Sequence, residues 1–192
     1  MTNAPYMMGS GRNGYRYGNG ELADAIVRDA LQDPYSKEMM GNSGDRCARK
    51  FNFSRQDQDA FAVESYRRTS EAYKNGWFSD ELFDVEIEGR GGSTFVKEDE
   101  EYKKLRADKV ATLKPAFGKD GTVTAVNASK INDGAAAVVL MSGAKVKELG
   151  LKPIAKIIGY GDAEQAPDDF TTSPALAMPK AVAKAGLAMN DI

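Results

Sequence analysis

The chain has 192 residues, of which 42% are hydrophobic and 28% are charged, an ordinary composition for a globular protein. Its net charge of -2 argues against a nucleic-acid-binding protein, because such proteins usually carry a strong basic excess. No apolar run approaches the roughly 18 residues of a membrane-spanning helix. Residues 1–8 also lack the basic and apolar regions of a secretory signal. The composition therefore predicts a protein that binds neither nucleic acid nor membrane.

Histidine is absent from the chain, and Cys47 is its single cysteine. One cysteine excludes an intramolecular disulfide, which fits a reducing compartment. The absence of histidine excludes, within this chain, a Ser-His-Asp triad, a Cys-His pair and histidine-based metal sites. Because no histidine base accompanies it, Cys47 is interpreted as a structural residue rather than a nucleophile.

The first half of the chain is predicted to hold a loop, two helices and a strand. Residues 1–20 are rich in Gly, Asn and Tyr and predict an irregular loop. Apolar residues on one face predict a helix over about residues 21–32. A second helix is predicted between the N-cap Ser54 and the stop signal Gly76. Alternating residues over 82–87 predict a strand.

The second half alternates between strand and helix signals. Short apolar runs at residues 135–141 and 154–160 predict buried strands. Helices are predicted at 143–149 and 173–185, and Pro179 is expected to kink the second of them or delay its start. This alternation predicts an α/β fold with a buried sheet.

The glycines of residues 9–14 match the dinucleotide-binding pattern G-x-G-x-x-G. That pattern binds a pyrophosphate only when a strand precedes it and a helix begins within it. Residues 1–8 have little β character, so a plain glycine loop is favoured over a nucleotide site.

Two stretches leave more than one interpretation open. The basic residues of 103–109 follow the acidic run 98–101, and such charge runs usually form a solvated surface, although a phosphate site would need the same residues. Residues 122–137 are dominated by small side chains, which let a backbone approach either a ligand or a neighbouring strand closely. The residues alone do not distinguish these alternatives.

The stretch TVTAVNASKINDGAAA at residues 122–137 closely resembles the thiolase segment T-V-T-A-x-N-A-S-x-x-N-D-G-A-A-A. By this resemblance the chain is identified as a member of the thiolase family, of the acetyl-CoA acetyltransferase type. Four further segments resemble thiolases in the same order along the chain: MTNAP at 1–5, PYSKEMMGNSGDRCARKFNFSRQDQDAFAVESYRRT at 34–69, EDEEYKK at 98–104 with LKPAFGKDGTV at 113–123, and FTTSPALAMPKAVAKAGL at 170–187.

The resemblance implies a partial thiolase-like α/β fold. Thiolases have two similar α/β halves, with a loop domain inserted in the first. The family pattern implies that residues 1–121 form the loop domain, with a tetramerisation loop near 7–20. Residues 122–150 would be the last part of the N-terminal half, and residues 151–192 the start of the C-terminal half. The abrupt end of the sequence predicts that this second half is truncated.

The reaction implied by the resemblance is a thioester Claisen condensation or its reverse. In the family a cysteine accepts the acyl group, while a second cysteine and a histidine transfer protons. The matching positions lie outside this chain, which is therefore expected to carry no catalytic residue and to be inactive alone. The expected activity of the complete protein is condensation of two acetyl-CoA molecules to acetoacetyl-CoA, or the reverse thiolysis.

The family's coenzyme A contacts are expected to lie inside this chain. The resemblance implies that Ser129 hydrogen-bonds the pantetheine, Phe117 walls its channel and Ala125 borders it. The remaining contacts implied are Leu31 and Met40 along the pantetheine, Tyr66, and, at the adenine and phosphate end, Lys104, Leu105, Arg106 and Lys109.

A potassium ion is implied only by a potassium-activated subgroup of the family. There a tyrosine matching Tyr66 borders the cation, together with backbone carbonyls that match Ala125, Val126 and Ala128. No other cofactor is expected beyond the coenzyme A thioester substrate.

Other functions remain open at this point. A thiolase acting on longer 3-ketoacyl-CoA substrates is one alternative, and a non-catalytic module for coenzyme A binding or assembly is another. The family resemblance implies acetyl-CoA and acetoacetyl-CoA as ligands and a homotetramer as the assembly. The location expected is cytoplasmic or mitochondrial, with the cytoplasm slightly favoured.

Overall fold

The computed structural model describes all residues from Met1 to Ile192. The chain forms two compact units: residues 1–47 together with 130–192, and residues 48–129. These two units are not the domains implied by the family resemblance, whose boundaries stay a prediction. No helix in the structure is both long enough and apolar enough to cross a membrane.

The first unit opens with a short antiparallel hairpin. Strand β1 (Tyr6–Met8) pairs with β2 (Leu22–Asp24), and the glycine-rich residues form the connection between them. The irregular loop predicted over residues 1–20 is wrong at β1, which precedes the glycines. A strand, and not a helix, follows these glycines, so their environment differs from that of a dinucleotide-binding loop. The helix predicted over 21–32 is wrong in its first turn, because those residues pair with β1. Only a π-helical segment, Val27–Leu31, forms its later part.

Helix α1 (Met40–Phe51) was not predicted from the sequence. Its first turns contain Gly41 and Gly44, residues with low intrinsic helix propensity. Arg46 on this helix forms an ion pair with Asp168, at 3.0 Å between Nη1 and Oδ2. Both residues belong to the first unit, and tertiary contacts of this kind can override weak local propensity.

Helix α2 (Arg55–Lys74) confirms the second helix prediction, including its start. Ser54 is the N-cap, and its hydroxyl accepts a hydrogen bond from the Asp57 N–H at 3.0 Å. The Asp57 carboxylate accepts from the Ser54 N–H at 3.1 Å, which completes a capping box. At the other end Gly76 adopts φ +67°, a left-handed conformation that favours glycine.

We expect Ser54→Ala to destabilise α2 by about 1 kcal/mol through loss of this N-cap. The Ser54 hydroxyl is also the main cause of the lowered pKa of Asp57. A carboxyl with a lowered folded-state pKa stabilises the fold above its ordinary pKa and loses that effect as the pH falls. The difference in unfolding free energy between the two proteins should therefore shrink in acid.

The measurement is urea unfolding at several pH values, with an NMR titration of Asp57. In Ser54→Ala the pKa of Asp57 should move back toward its ordinary value. Ser65→Ala, an exposed change inside the same helix, is the matched control. An effect of Ser54→Ala no larger than that of Ser65→Ala would contradict the capping role.

A second hairpin follows α2. Strand β3 (Val85–Gly89) pairs with β4 (Gly92–Val96) in an antiparallel register that sets Val85 opposite Val96. The predicted strand over 82–87 is therefore confirmed in part, since it begins and ends later. The turn between the strands is Arg90-Gly91, and Gly89 pairs with Gly92, which adopts φ +115°.

The helices predicted in the second half are confirmed, but the strands are not. Helix α3 (Gly143–Glu148) and α4 (Ser173–Lys184) form, and α4 continues through Pro179 without a delayed start. The buried strands predicted at 135–141 and 154–160 are wrong for this chain. Neither segment is paired with another strand, and the predicted core residues Val139 and Ile157 are 87% and 70% exposed.

Candidate functional site

The first turn of α2 carries a buried ion pair. The Arg55 Nε donates to the Asp59 Oδ2 at 2.7 Å, and the two side chains are only 20% and 12% exposed. The same guanidinium donates through Nη1 to the Leu113 carbonyl at 3.0 Å and through Nη2 to the Val110 carbonyl at 2.8 Å. Arg55 thereby attaches the end of a 3₁₀ helix (Ala107–Thr112) to α2.

The small-residue stretch folds into a turn against the same part of α2. The Asn127 Oδ1 accepts from the Thr124 N–H at 2.7 Å, and its Nδ2 donates to the Thr122 carbonyl and to the Asp59 Oδ1, both at 3.1 Å. Thr124 is fully buried. The Gln58 Nε2 donates to the Thr122 hydroxyl at 3.0 Å. These bonds fix the backbone that leads to Ser129.

The charged segment is attached to the later turns of α2. The Tyr66 hydroxyl donates to the Glu101 Oε1 at 2.9 Å, and the Lys104 Nζ lies 3.8 Å from the Glu101 Oε2. Tyr73 and Tyr102 stack with ring centroids 4.5 Å apart and an interplanar angle of 7°. These contacts place a 3₁₀ turn (Glu101–Lys103) beside the helix.

Acidic and basic groups within this segment are paired with one another. Lys104 approaches the Glu100 carboxylate at 3.2 Å, while Lys103 forms an ion pair with Glu98. The hydrogen bond between Lys103 and Glu98 raises the pKa of the lysine and lowers that of the carboxyl. The basic side chain of Lys109 makes no ion pair and is exposed. An exposed ammonium of this kind can bind a phosphate at modest desolvation cost.

The predicted coenzyme A contacts are divided between the two units. Leu31 ends the π-helical segment and Met40 begins α1, both in the first unit. The other predicted contacts all belong to residues 48–129, and most of them are exposed or half-buried: Tyr66, Lys104, Leu105, Arg106, Lys109, Phe117, Ala125 and Ser129. These coenzyme A contacts stay predictions.

The potassium prediction concerns backbone oxygens of the turn before Ser129. Ala125, Val126 and Ala128 lie in that turn, where the Ala128 N–H donates to the Thr124 carbonyl at 3.0 Å. Tyr66 belongs to the same unit, and its hydroxyl is bonded to Glu101. No cluster of three or more His, Cys, Asp or Glu side chains in residues 1–192 could hold a metal ion. The potassium assignment stays a prediction.

Two of the motif segments quoted from the sequence meet in the first unit. The Thr2 N–H donates to the Asp133 Oδ1 at 2.8 Å, and the Thr2 hydroxyl donates to Oδ2. The MTNAP segment is thus joined to the NDG of the small-residue stretch.

Sequence reasoning missed the joint role of Arg55, Asp59 and Asn127. In the sequence, Asp59 is only an acidic residue near the start of a predicted helix, and Asn127 is only a polar residue among small ones. Asn127 is 68 positions from Asp59, and no periodic signal links the two, because only tertiary packing brings them together. The available signal was the capping box, which predicts that Arg55 and Asp59 share one helix face at i and i+4.

Comparisons with known proteins agree with the family resemblance of the sequence. A family profile described as "Thiolase, N-terminal domain" matches residues 1–144. A protein named probable acetyl-CoA acetyltransferase from Dictyostelium discoideum is 55% identical, over 100% of this chain and 47% of that protein. A cytosolic acetyl-CoA acetyltransferase of Gibberella zeae is 47% identical, over 100% of this chain and 49% of its own length.

A solved structure is similar over the whole chain. It is the Acat5 thiolase from Ascaris suum in complex with coenzyme A, with a TM-score of 0.88 and 43% sequence identity. The match covers 100% of this chain and 48% of that one, so the chain spans about half the length of the relatives it matches. The predicted fold is thereby confirmed as a partial thiolase fold. Because the family profile covers three quarters of these residues, the chain belongs to the thiolase family.

Proposed function

We propose that the protein carrying this chain is an acetyl-CoA C-acetyltransferase, and that this chain supplies its coenzyme A-binding region. The observation that carries the proposal is the similarity, over all 192 residues, to a solved thiolase that was crystallised with coenzyme A. Acetyl-CoA acetyltransferases at about 50% identity match the same residues. The reaction would be condensation of two acetyl-CoA molecules, or thiolysis of acetoacetyl-CoA.

The binding region would be built mainly from residues 48–129. The exposed lysines Lys104 and Lys109 would attract the phosphates of coenzyme A, with Leu105 and Arg106 beside them. Ser129 would hydrogen-bond the pantetheine, while Phe117, Ala125 and Tyr66 would border it. Leu31 and Met40 are the other contacts proposed along the pantetheine. These residues bind and orient the thioester, and the cysteines and histidine that act on it would lie outside this chain.

The assignments of domain boundaries, assembly and location follow from the same proposal. Residues 1–121 would be the loop domain, residues 122–150 the end of the N-terminal half, and residues 151–192 the start of the C-terminal half. The loop near 7–20 would contribute to a tetramer. A cytoplasmic location is supported by the relative from Gibberella zeae whose name describes it as cytosolic.

The function is tested by comparing substrates of different length. The purified full-length protein is assayed for thiolysis of acetoacetyl-CoA and of a longer 3-ketoacyl-CoA. We expect a higher kcat/KM with acetoacetyl-CoA. A preference for the longer substrate would replace this proposal with a longer-chain thiolase, and coenzyme A binding without turnover would indicate a non-catalytic module. Replacing K⁺ with Na⁺ in the same assay tests the potassium prediction.

The double variant Lys104→Ala/Lys109→Ala is expected to weaken coenzyme A binding about tenfold at low ionic strength. Each exposed charge is expected to contribute roughly 0.5–1 kcal/mol to the binding free energy. Salt screens exposed charges, so the effect should shrink as salt is added. Calorimetric titration at two salt concentrations measures it. The double variant Lys147→Ala/Lys152→Ala, which removes two exposed lysines of the other unit, is the control. A loss of affinity that does not depend on salt would argue against phosphate contacts.

A further inference from the structure

Within residues 48–129, the Asp59 carboxylate joins two other polar side chains. Its residue is 8% exposed, and its oxygens accept from the Arg55 Nε at 2.7 Å and from the Asn127 Nδ2 at 3.1 Å. Burying a carboxylate is costly unless its oxygens are paired. A buried polar network in which each member is hydrogen-bonded favours one specific arrangement of the segments that it joins. Asp59 therefore constrains both of its partners at once.

Each partner of Asp59 extends to a different segment of the chain. Arg55 donates to the carbonyls of Val110 and Leu113, which closes the 3₁₀ helix that contains Lys109. Asn127 instead accepts from the N–H of the buried Thr124 and donates to the Thr122 carbonyl, and so shapes the turn that leads to Ser129. One carboxylate thus holds the segment proposed for the phosphates and the turn proposed for the pantetheine.

We propose that Arg55 and Asn127 are positioning residues, which set the two ends of the coenzyme A site through their shared contact with Asp59. The inference rests on the proposed function. Neither residue needs to touch the ligand. Arg55 would hold the phosphate end, and Asn127 would hold the pantetheine end. Binding groups act only when they are held within about an ångström of the productive geometry, and their hydrogen-bonded supports determine that precision.

The test separates the two ends of the ligand. The full-length protein is studied with two probes: the adenosine bisphosphate part of coenzyme A, and S-acetylpantetheine, which lacks the nucleotide. Asn127→Ala should raise KM for S-acetylpantetheine about tenfold, the equivalent of the lost hydrogen bonds. It should leave the Kd of the adenosine bisphosphate unchanged. Arg55→Lys keeps the charge but loses the planar fork of donors, so it should show the opposite pattern.

Gln56→Ala is the matched control, because Gln56 is exposed on the same helical turn of α2 and its side chain makes no hydrogen bond. A purely structural role would predict that each variant weakens both probes equally and in proportion to its fall in thermal midpoint. That result would overturn the inference. If Asn127→Ala does not fold, Asn127→Ser provides the test, because serine retains an acceptor for the Thr124 N–H. Its KM for S-acetylpantetheine should rise less than tenfold but above that of Gln56→Ala.

The outcomes also separate this inference from the proposed function. If the unaltered protein binds neither probe and transfers no acetyl group, the proposed function is wrong, and the positioning role is overturned with it. If the unaltered protein binds both probes while Asn127→Ala and Arg55→Lys behave like Gln56→Ala, the inference alone is wrong. If Asn127→Ala weakens only S-acetylpantetheine and Arg55→Lys weakens only the adenosine bisphosphate, the result would support both the positioning role and the proposed function.

Discussion

Arg55→Ala is expected to lower the free energy of unfolding by about 3 kcal/mol, because it breaks a buried ion pair. The change removes the donor at 2.7 Å from the Asp59 carboxylate, which is 12% exposed. It also removes donors from the carbonyls of Val110 and Leu113. Removing one partner of a buried pair typically costs about 3–5 kcal/mol, because an uncompensated charge remains.

Arg68→Ala is the control for this change. Arg68 also lies on α2 and pairs with a carboxylate four residues away, at 2.8 Å from Glu64, but its side chain is 75% exposed. Exposed pairs of this kind contribute little. The measurement is urea unfolding of the protein carrying this chain, with each variant compared at the same pH. Equal destabilisation by the two variants would show that the burial of the Arg55 pair has no energetic consequence.

Gly161→Ala is expected to displace α4 and to cost about 1–3 kcal/mol, as overpacking does elsewhere. A Cβ at this position would lie 2.6 Å from the Ala177 carbonyl oxygen and 2.7 Å from the Ala181 nitrogen. Both are backbone atoms of the helix, so no side-chain rotation can relieve the clash. A Cβ at Gly159 would likewise clash with the Ala181 carbonyl oxygen. The two glycines therefore allow α4 to lie close to the backbone of residues 159–161.

The consequence can be measured by hydrogen exchange as well as by unfolding. Amide protection along α4 should fall in Gly161→Ala, while protection along α2 should be unchanged. Gly143→Ala is the matched control, because a Cβ there meets nothing within 4 Å and its residue begins the short helix α3. Unchanged protection of α4 in Gly161→Ala would contradict the close approach.

The helices that were predicted correctly are those with strong local signals. Ser54 begins α2 through a cap that involves only its neighbours, and Gly76 ends it with a left-handed conformation. Pro174 occupies the first turn of α4, where its missing N–H costs nothing. Helix α1 was missed because Gly41 and Gly44 weaken the local signal, and contacts such as that of Arg46 with Asp168 are not visible in the sequence.

The strands predicted in the second half could not be judged from local signals alone. The apolar runs at 135–141 and 154–160 have the composition of buried strands, but a strand also needs a neighbour whose backbone completes its hydrogen bonds. Within these 192 residues neither run has such a neighbour. The hairpin of β3 and β4 forms because its second strand follows after the two-residue turn Arg90-Gly91, which keeps the pairing local.

By itself, the sequence determined the local features of this protein and its family. Caps, helix stops and the ordered segments from MTNAP to NDGAAA depend only on residues that are close in the chain, so they could be recognised without a structure. Only the tertiary structure decided which distant polar groups meet. The Asp59 carboxylate of α2 lies 3.1 Å from the Asn127 amide across 68 positions of sequence, because polar groups that are taken out of water need a hydrogen-bond partner.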